Sequence, residues 1–271
     1  MSAAAIDPSA RIVDGATIGK DCTVGPFCVI GPNVVLGDGC RLAGHVSITG
    51  HTIIGPRTVI YPFASLGTPP QSFKYRGGPT RLVVGADCDI RENVTMNTGT
   101  EDDGGLTQVG DHCLLMVGSH VGHDCTVGNN VVFANNTLLG GHVAVGDNVV
   151  FGGGAAVRQY VRIGAGAMIV GLSGVRADVI PWGTVQGPLA YHVGLNVIGM
   201  RRKGLTKAEI LNMRRAYELL FFGPGEYRAR IDKVEAEFGG DPHVANMIAF
   251  IRTGKRPMTM ASKRGEADEG S

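Results

Sequence analysis

Large apolar residues recur at every sixth position over most of the first two thirds of this 271-residue chain. The series runs through eleven hexads from Ile6 to Leu66, three from Val84 to Met96 and twelve from Val109 to Val175. A small or β-branched residue stands four places after each of them, and glycine often follows directly. A six-residue unit is too short for a helix and lacks the strict alternation of a half-buried strand. The period therefore indicates a solenoid whose narrow interior the large residues fill.

The hexads predict an all-β solenoid over residues 1–186. Glycine beside the large residue suits a corner, where a backbone without Cβ can take positive φ. Hexapeptide repeats of this kind resemble the left-handed parallel β-helix, in which three hexads form one triangular coil. The left hand is implied by that resemblance, since the physics of parallel crossovers favours the right hand. The flat faces of such a prism offer broad surfaces for self-association.

Two insertions interrupt the hexads, at roughly 67–82 and 99–107. The first reads GTPPQSFKYRGGPTRL and the second GTEDDGGLT, and both are rich in turn-forming residues. A solenoid accepts insertions at its corners, and such loops often carry the functional residues. We therefore expect the two insertions to form the rim of a site.

The hexads end after Pro181, and the sequence changes to helical periodicity. Thr206 and Glu209 form a T-x-x-E capping box before an amphipathic run, and two further runs begin near Tyr227 and Val244. This pattern predicts an α-helical region of three helices over residues 187–255. The charged residues 256–271 are expected to form a flexible tail.

Charge and cysteine usage exclude several classes. The formal net charge is +1, which argues against a broad nucleic-acid surface. The N-terminus lacks the pattern of a secretory signal, and no apolar stretch is long enough to span a membrane, so a cytoplasmic location is expected. All six cysteines occupy inward small-residue positions of the repeat, which predicts buried, reduced thiols.

A column of polar residues is predicted at one corner. His120, His123 and Asp124 fall on outward positions, because only the neighbouring Val121 and Cys125 point inward. One coil contains eighteen residues, so Gly141 and His142 lie one coil further on, and Arg158 and Gln159 one coil beyond them. Stacked polar groups beside an insertion form a credible cleft.

The column suits proton transfer. A neutral histidine can remove a proton from a hydroxyl, and Asp124 next to His123 could fix its tautomer. No serine or cysteine is placed there as a nucleophile, which favours direct attack by a bound acceptor. A zinc site is the alternative, since His120 and His123 form an H-x-x-H pair, although no third histidine has an evident place beside it.

Several segments resemble the UDP-N-acetylglucosamine O-acyltransferase family, which catalyses the first step of lipid A biosynthesis. They are the segment 122–128 (GHDCTVG), the Ala-Asn-Asn at 134–136, the Gly-Gly-His-Val at 140–143, the Lys-Tyr-x-Gly at 74–77 and the helical C-terminal region. The resemblance covers nearly the whole chain. It implies a homotrimer with active sites between neighbouring prisms. The acyl donor would be a 3-hydroxyacyl chain on the phosphopantetheine of acyl carrier protein, with no metal and no further cofactor.

The resemblance also assigns roles. His123 would be the general base that deprotonates the sugar 3-hydroxyl, Asp124 would orient it, and the Gly141 amide would stabilise the oxyanion. Contacts to the sugar nucleotide or acyl chain would come from Ser72, Lys74, His120, His142, Arg158 and Gln159. Asn196, Arg202 and Lys203 would bind the nucleotide or the phosphopantetheine. The basic run at 201–203 also suits the binding of an acidic carrier protein, and a solvated helix face explains these residues equally well.

Three positions depart from the family pattern and bear on the acceptor. Ser72 follows Gln71 where relatives usually have aspartate, and Asn97 and Arg158 stand where histidine is common. Some relatives acylate a 3-amino sugar, so oxygen and nitrogen acceptors both stay open. Other readings are the N-acyltransferase of the next acylation, which has an extra domain before its hexads, an acetyl-CoA-dependent acyltransferase, and a zinc-dependent or non-catalytic solenoid.

Gly171 is expected to set acyl length. It lies outside the repeat interior, between the inward residues Ile169 and Ser173. The resemblance implies that this position closes the far end of an acyl groove, where a bulky side chain would shorten the chain accepted. Glycine leaves the groove open, so a preference for longer hydroxyacyl donors is predicted.

Overall fold

The fold is a left-handed parallel β-helix followed by a small helical region. The structure is a computed structural model that describes residues 3–73 and 75–262, without the side chain of Asp103. Three parallel sheets form the walls of a triangular prism. All but the last strand pair in parallel with a strand one coil away, so Val121 lies beside Leu139 and Leu139 beside Val157. This eighteen-residue register stacks equivalent hexad positions in columns.

The strands are short, because each hexad crosses one wall and contains only a few extended residues before the chain turns at the next corner. The first sheet contains, in spatial order, β1 (Ala5–Ile6), β4 (Thr23–Val24), β7 (Arg41–Leu42), β10 (Val59–Ile60), β13 (Asp89–Ile90), β16 (Leu114–Leu115), β19 (Val132–Phe133), β22 (Val150–Phe151), β25 (Met168–Ile169), β27 (Gly183–Gln186) and β28 (Tyr191–Leu195).

The second sheet contains β2 (Arg11–Ile12), β5 (Val29–Ile30), β8 (Ser47–Ile48), β11 (Ser65–Thr68), β14 (Thr95–Asn97), β17 (His120–Val121), β20 (Leu138–Leu139), β23 (Ala156–Val157) and β26 (Gly174–Val175). The third contains β3 (Thr17–Ile18), β6 (Val34–Leu36), β9 (His51–Ile54), β12 (Arg81–Val84), β15 (Leu106–Val109), β18 (Thr126–Val127), β21 (Ala144–Val145) and β24 (Arg162–Ile163). A short 3₁₀ helix at Glu101–Asp103 lies in the second insertion.

The hexad residues form one continuous core. Ile30, Leu66 and Leu139 are fully buried, and the Phe133 and Phe151 rings stack with centroids 5.0 Å apart. Full burial of such a side chain contributes about 1.5–3 kcal/mol. Ile6 is 43% exposed because its coil is the first and has no layer below it. All six cysteines are buried and free, as the repeat predicted.

The corners are sharp and favour particular residues. Asp124, Asn136 and His142 all have positive φ between 58° and 60°. Asparagine, aspartate and histidine are the non-glycine residues that tolerate this left-handed conformation best. Phe63 and Leu172 take the same conformation, so the corner geometry permits polar side chains without dictating them.

The C-terminal region differs from expectation at its start. The boundary expected at residue 186 falls inside a hairpin, in which β28 runs antiparallel to β27 at the edge of the first sheet. Four helices follow rather than three: α1 (Val197–Arg202), α2 (Lys207–Phe222), α3 (Tyr227–Phe238) and α4 (Pro242–Arg252). The predicted capping box of Thr206 and Glu209 is present at α2. Helix α1 escaped prediction because six residues are too few to show periodicity.

Part of the expected tail is ordered. Met258 forms a parallel bridge with Asp178, Ala261 forms another with His192, and Thr259 is buried. The expectation of a flexible tail from residue 256 is therefore wrong for this segment, whose backbone groups extend the edge strands. Residues 263–271 lie outside the described part. None of the described helices has both the length and the apolar character needed to cross a membrane.

Candidate active site

The predicted base and its carboxylate meet at a corner between the second and third sheets. His123 Nδ1 lies 2.9 Å from Asp124 Oδ2, and the Asp124 side chain is only 3% exposed. The carboxylate beside Nδ1 favours the tautomer with its proton there, which leaves the Nε2 lone pair free to accept a proton. This is the arrangement that a general base requires.

Three further hydrogen bonds hold Asp124. Thr100 donates its amide to Oδ1 (2.8 Å) and its hydroxyl to Oδ2 (2.7 Å). The Asp124 amide donates to Thr107 Oγ1 (2.8 Å). Because both carboxylate oxygens and the backbone are held, the ion is fixed against rotation at a site from which water is largely excluded.

Gly141 lies one coil above His123, as the eighteen-residue spacing predicted. A Cβ at 141 would collide with the His123 ring, so only glycine leaves room for the imidazole. The Gly141 amide has no acceptor among the described residues and is available to an incoming oxygen. His142 follows it, and its amide donates to the His123 carbonyl (2.8 Å).

Aromatic contacts continue the column. The His142 ring meets the His123 ring edge to face, with centroids 4.9 Å apart. On its other side His142 stacks in parallel on Tyr160, with centroids 4.2 Å apart, and the Arg256 guanidinium lies 5.1 Å from the Tyr160 ring centroid. The ordered C-terminal segment thus contacts the same column as the base.

A pocket of about 310 Å³ opens over His123. Its walls come from the histidine column and from both insertions: Gln71, Ser72, Phe73, Thr100, Asp102, His123, His142, Gln159 and Tyr160. The insertions are joined to each other, because Glu101 Oε1 accepts hydrogen bonds from the Arg76 (3.1 Å) and Gly78 (2.7 Å) amides. The hydrogen bond from its own backbone amide, and then those from the Gly78 and Arg76 amides, lower the pKa of Glu101.

Not all predicted site residues line this pocket. His120 lies beside it, with Nδ1 2.8 Å from Thr95 Oγ1, and burial and then the nearby His123 side chain lower the pKa of His120. Arg158 and Gly171 do not line the pocket, and Lys74 lies outside the described residues. Asn97 is buried and donates to Thr68 Oγ1 (2.9 Å), so it holds the base of the first insertion.

Asn196, Arg202 and Lys203 line a second pocket, of about 430 Å³, between the first sheet and α1. Its floor is apolar and includes Trp182 and Ile198. The Asn196 side chain caps α1 through the Gly199 amide and donates to the Gly166 carbonyl, so it is rigidly held. Within one chain, these three residues are not part of the His123 pocket.

Sequence reasoning missed Gln71, Phe73, Thr100, Asp102 and Tyr160 in the first pocket. Tyr160 could have been found, because it stands eighteen residues after His142. Thr100 stands four places after Met96, at a small-residue position of the repeat, but its contact with Asp124 could not be predicted because the path of the insertion that follows has no repeat register.

Only one group of possible metal ligands occurs among the described residues. The donor atoms of His123, Asp124 and His142 lie within 4.8 Å of one another. His142 Nε2 is 3.7 Å from Asp124 Oδ2, but both Asp124 oxygens already accept from Thr100. This carboxylate is therefore already engaged by His123 and Thr100.

Two family models match the chain. One, described as UDP-N-acetylglucosamine O-acyltransferase domain 2, matches residues 178–259, and a bacterial transferase hexapeptide model matches 15–50 and 106–141.

Curated relatives match over nearly full length. The acyl-(acyl-carrier-protein)–UDP-N-acetylglucosamine O-acyltransferase of Azorhizobium caulinodans is 52% identical over 98% of both chains. The enzyme of the same name from Rhizobium johnstonii is 46% identical over 97% of both. A crystal structure of UDP-N-acetylglucosamine O-acyltransferase from Moraxella catarrhalis superposes with a TM-score of 0.90 at 37% identity, covering 94% of this chain and 99% of that one.

Proposed function

Because the chain belongs to the acyl-(acyl-carrier-protein)–UDP-N-acetylglucosamine O-acyltransferase family, we propose that it transfers an acyl chain from acyl carrier protein to UDP-N-acetylglucosamine. This reaction is the first step of lipid A biosynthesis. The donor is a 3-hydroxyacyl chain on phosphopantetheine, and the acceptor is the 3-hydroxyl of the sugar. One observation carries the assignment: His123 is held at Nδ1 by a buried carboxylate beneath a pocket large enough for a sugar.

The chemistry follows from the positions of three groups. His123 Nε2 takes the proton of the 3-hydroxyl as that oxygen attacks the thioester carbonyl carbon. The carbonyl oxygen becomes an oxyanion, to which the Gly141 amide donates a hydrogen bond. The intermediate collapses to the ester and expels the phosphopantetheine thiolate, which takes the proton back from His123. Asp124 stabilises the imidazolium formed between these steps.

Substrate contacts are proposed from the pocket walls. Ser72, His142 and Gln159 line the pocket and can bind sugar hydroxyls or phosphate oxygens, and Lys74 belongs to the same loop. His120 and Arg158 lie next to the column. Asn196, Arg202 and Lys203 offer an amide and two cations, which suit a nucleotide diphosphate or the phosphopantetheine.

A homotrimer is proposed as the working form. Asn196, Arg202 and Lys203 line a different pocket from His123 within one chain, which supports a site that takes one set from each of two neighbouring chains. The six free cysteines fit a reducing compartment, and we place the protein in the cytoplasm.

The function is tested by incubating the protein with hydroxyacyl carrier proteins of several lengths and either UDP-N-acetylglucosamine or its 3-amino analogue. Mass spectrometry should detect the 3-O-acyl sugar nucleotide. Transfer only to the 3-amino analogue would show that the acceptor atom is nitrogen rather than oxygen. Acetyl-CoA is offered as a second donor, and transfer from acetyl-CoA alone would exclude the carrier protein as donor. No transfer from either donor would refute the assignment.

A further inference from the structure

We propose that Thr100, in the second insertion, is a positioning residue that fixes the Asp124 carboxylate on His123. The inference rests on the proposed function, because it concerns how the base of that reaction is held. Thr100 is 4% exposed and immediately precedes the 3₁₀ helix of the second insertion.

Thr100 clamps Asp124 through two donors of one residue. Its amide donates to Oδ1 and its hydroxyl to Oδ2, at 2.8 and 2.7 Å. The same Oδ2 accepts from His123 Nδ1. Since the two oxygens are bound by groups fixed relative to each other, the plane of the carboxylate is set. That plane then sets the direction of the imidazole.

The clamp also chooses between two histidines. Asp124 Oδ2 lies 2.9 Å from His123 Nδ1 but 3.7 Å from His142 Nε2. A modest rotation of an unclamped carboxylate could exchange the shorter contact for the longer one. His123 would then lose the partner that keeps its proton on Nδ1, and the fraction with a free Nε2 lone pair would fall.

The backbone of the second insertion allows Thr100 to approach Asp124. A Cβ at Gly99 would lie 2.6 Å from Asp124 Oδ1, so glycine there allows the close approach. The Thr100 carbonyl accepts from the Gly105 amide (2.9 Å), which closes the insertion behind it. Glu101 then joins the insertion to the first one through the Gly78 amide.

Kinetics of the full-length enzyme test the proposal. Thr100→Val keeps the shape but removes the hydroxyl, and kcat should fall about tenfold, the cost of one hydrogen bond to a charged group, with KM for either substrate within about twofold. Thr100→Ser should restore most of kcat. Thr80→Val is the matched control, since the Thr80 hydroxyl bonds Thr98 in the same pair of insertions and does not touch Asp124.

A double-mutant cycle separates positioning from general loop damage. Asp124→Ala should lower kcat strongly, and adding Thr100→Val should cost almost nothing more, because the side chain that Thr100 clamps is already gone. An additive loss, a serine variant as slow as valine, or unchanged kcat in Thr100→Val would overturn the proposal.

A readout independent of activity keeps the two proposals distinguishable. In protein labelled with ¹⁵N-histidine, His123 should show one tautomer with the proton on Nδ1, and Thr100→Val should show a mixture. If the wild-type enzyme transferred no acyl chain, the proposed function would fail, whereas these spectra would still support or refute the role of Thr100.

Discussion

The His123 imidazole is fixed from three directions, by Asp124 at Nδ1, by Gly141 against its face and by the edge of His142. Such a residue loses little orientational freedom when substrate binds, which is the condition for efficient proton transfer. The surrounding solenoid does not depend on the ring, because the walls are held by backbone pairing and by the aliphatic core.

The first prediction follows from this separation of function and fold. His123→Ala should lower acyl transfer by roughly two to four orders of magnitude, the usual contribution of a general base, with unchanged thermal unfolding. Steady-state kinetics and calorimetry measure the two quantities. The control is His112→Ala, at an exposed corner outside the pocket. Near-wild-type turnover in the His123 variant would remove this residue from the mechanism.

A second histidine has no part in the proposed reaction, and its burial makes stability depend on pH. His192 is fully buried between the terminal hairpin and α2, close to Tyr217 and Phe221, and neither ring nitrogen has a partner among the described residues. Burial lowers its pKa to about 3. The folded state therefore disfavours a proton that the unfolded chain takes up below its ordinary pKa of 6.5.

The second prediction is a pH dependence of stability. As pH falls from 6.5 toward 3, the unfolded state binds more protons at His192, so the free energy of unfolding should fall by roughly 1.4 kcal/mol per pH unit from this group. His192→Leu should abolish this contribution and make unfolding at pH 5 and pH 7.5 more alike. Calorimetry at the two pH values measures the difference. Equal losses of stability in both proteins would contradict the pKa shift.

At the scale of elements, the hexad pattern predicted the three sheets, whereas the conformation of the two insertions could not be predicted. Tyr160 follows from the coil length, since a register of eighteen residues carries one corner onto the next. The contacts of Thr100 with Asp124 and of Glu101 with the first insertion do not follow, because both depend on the path of an irregular loop. Helix α1 and β28 are short and take their conformation from packing against the last coil, which no local pattern records.

The third prediction concerns the outer face near Gly171. A Cβ there would lie 3.1 Å from the Gly153 carbonyl oxygen, so a side chain needs only a small adjustment to fit. Each buried methylene contributes about 0.8 kcal/mol, so an open groove should favour a donor two carbons longer by about tenfold. Gly171→Met should shift the preference to shorter donors without abolishing transfer. Competition between carrier proteins of mixed length measures it, and an unchanged profile would place the length limit elsewhere.

At the scale of the whole molecule, the two pockets set the fourth prediction. His123→Ala and Arg202→Ala subunits should each be inactive alone. If each site takes His123 from one chain and Arg202 from another, co-assembled trimers should recover about a quarter of the wild-type rate, the fraction of interfaces with both residues intact. Tagged co-expression followed by kinetics measures the recovery. Sedimentation as an active monomer, or no recovery in verified mixed trimers, would refute a shared site.

The eighteen-residue register has a consequence for how the chain reaches its fold. Nearly every strand pairs with one only a coil away in sequence, so the sequence separation of these pairs is short relative to the length of the chain even though the finished sheets are long. Low contact order favours rapid folding, and each coil can serve as a template for the next. During synthesis, the coils can therefore fold one after another as they leave the ribosome. The antiparallel β28 and the helices arrive last and close the growing edge, which would otherwise stay open to another chain.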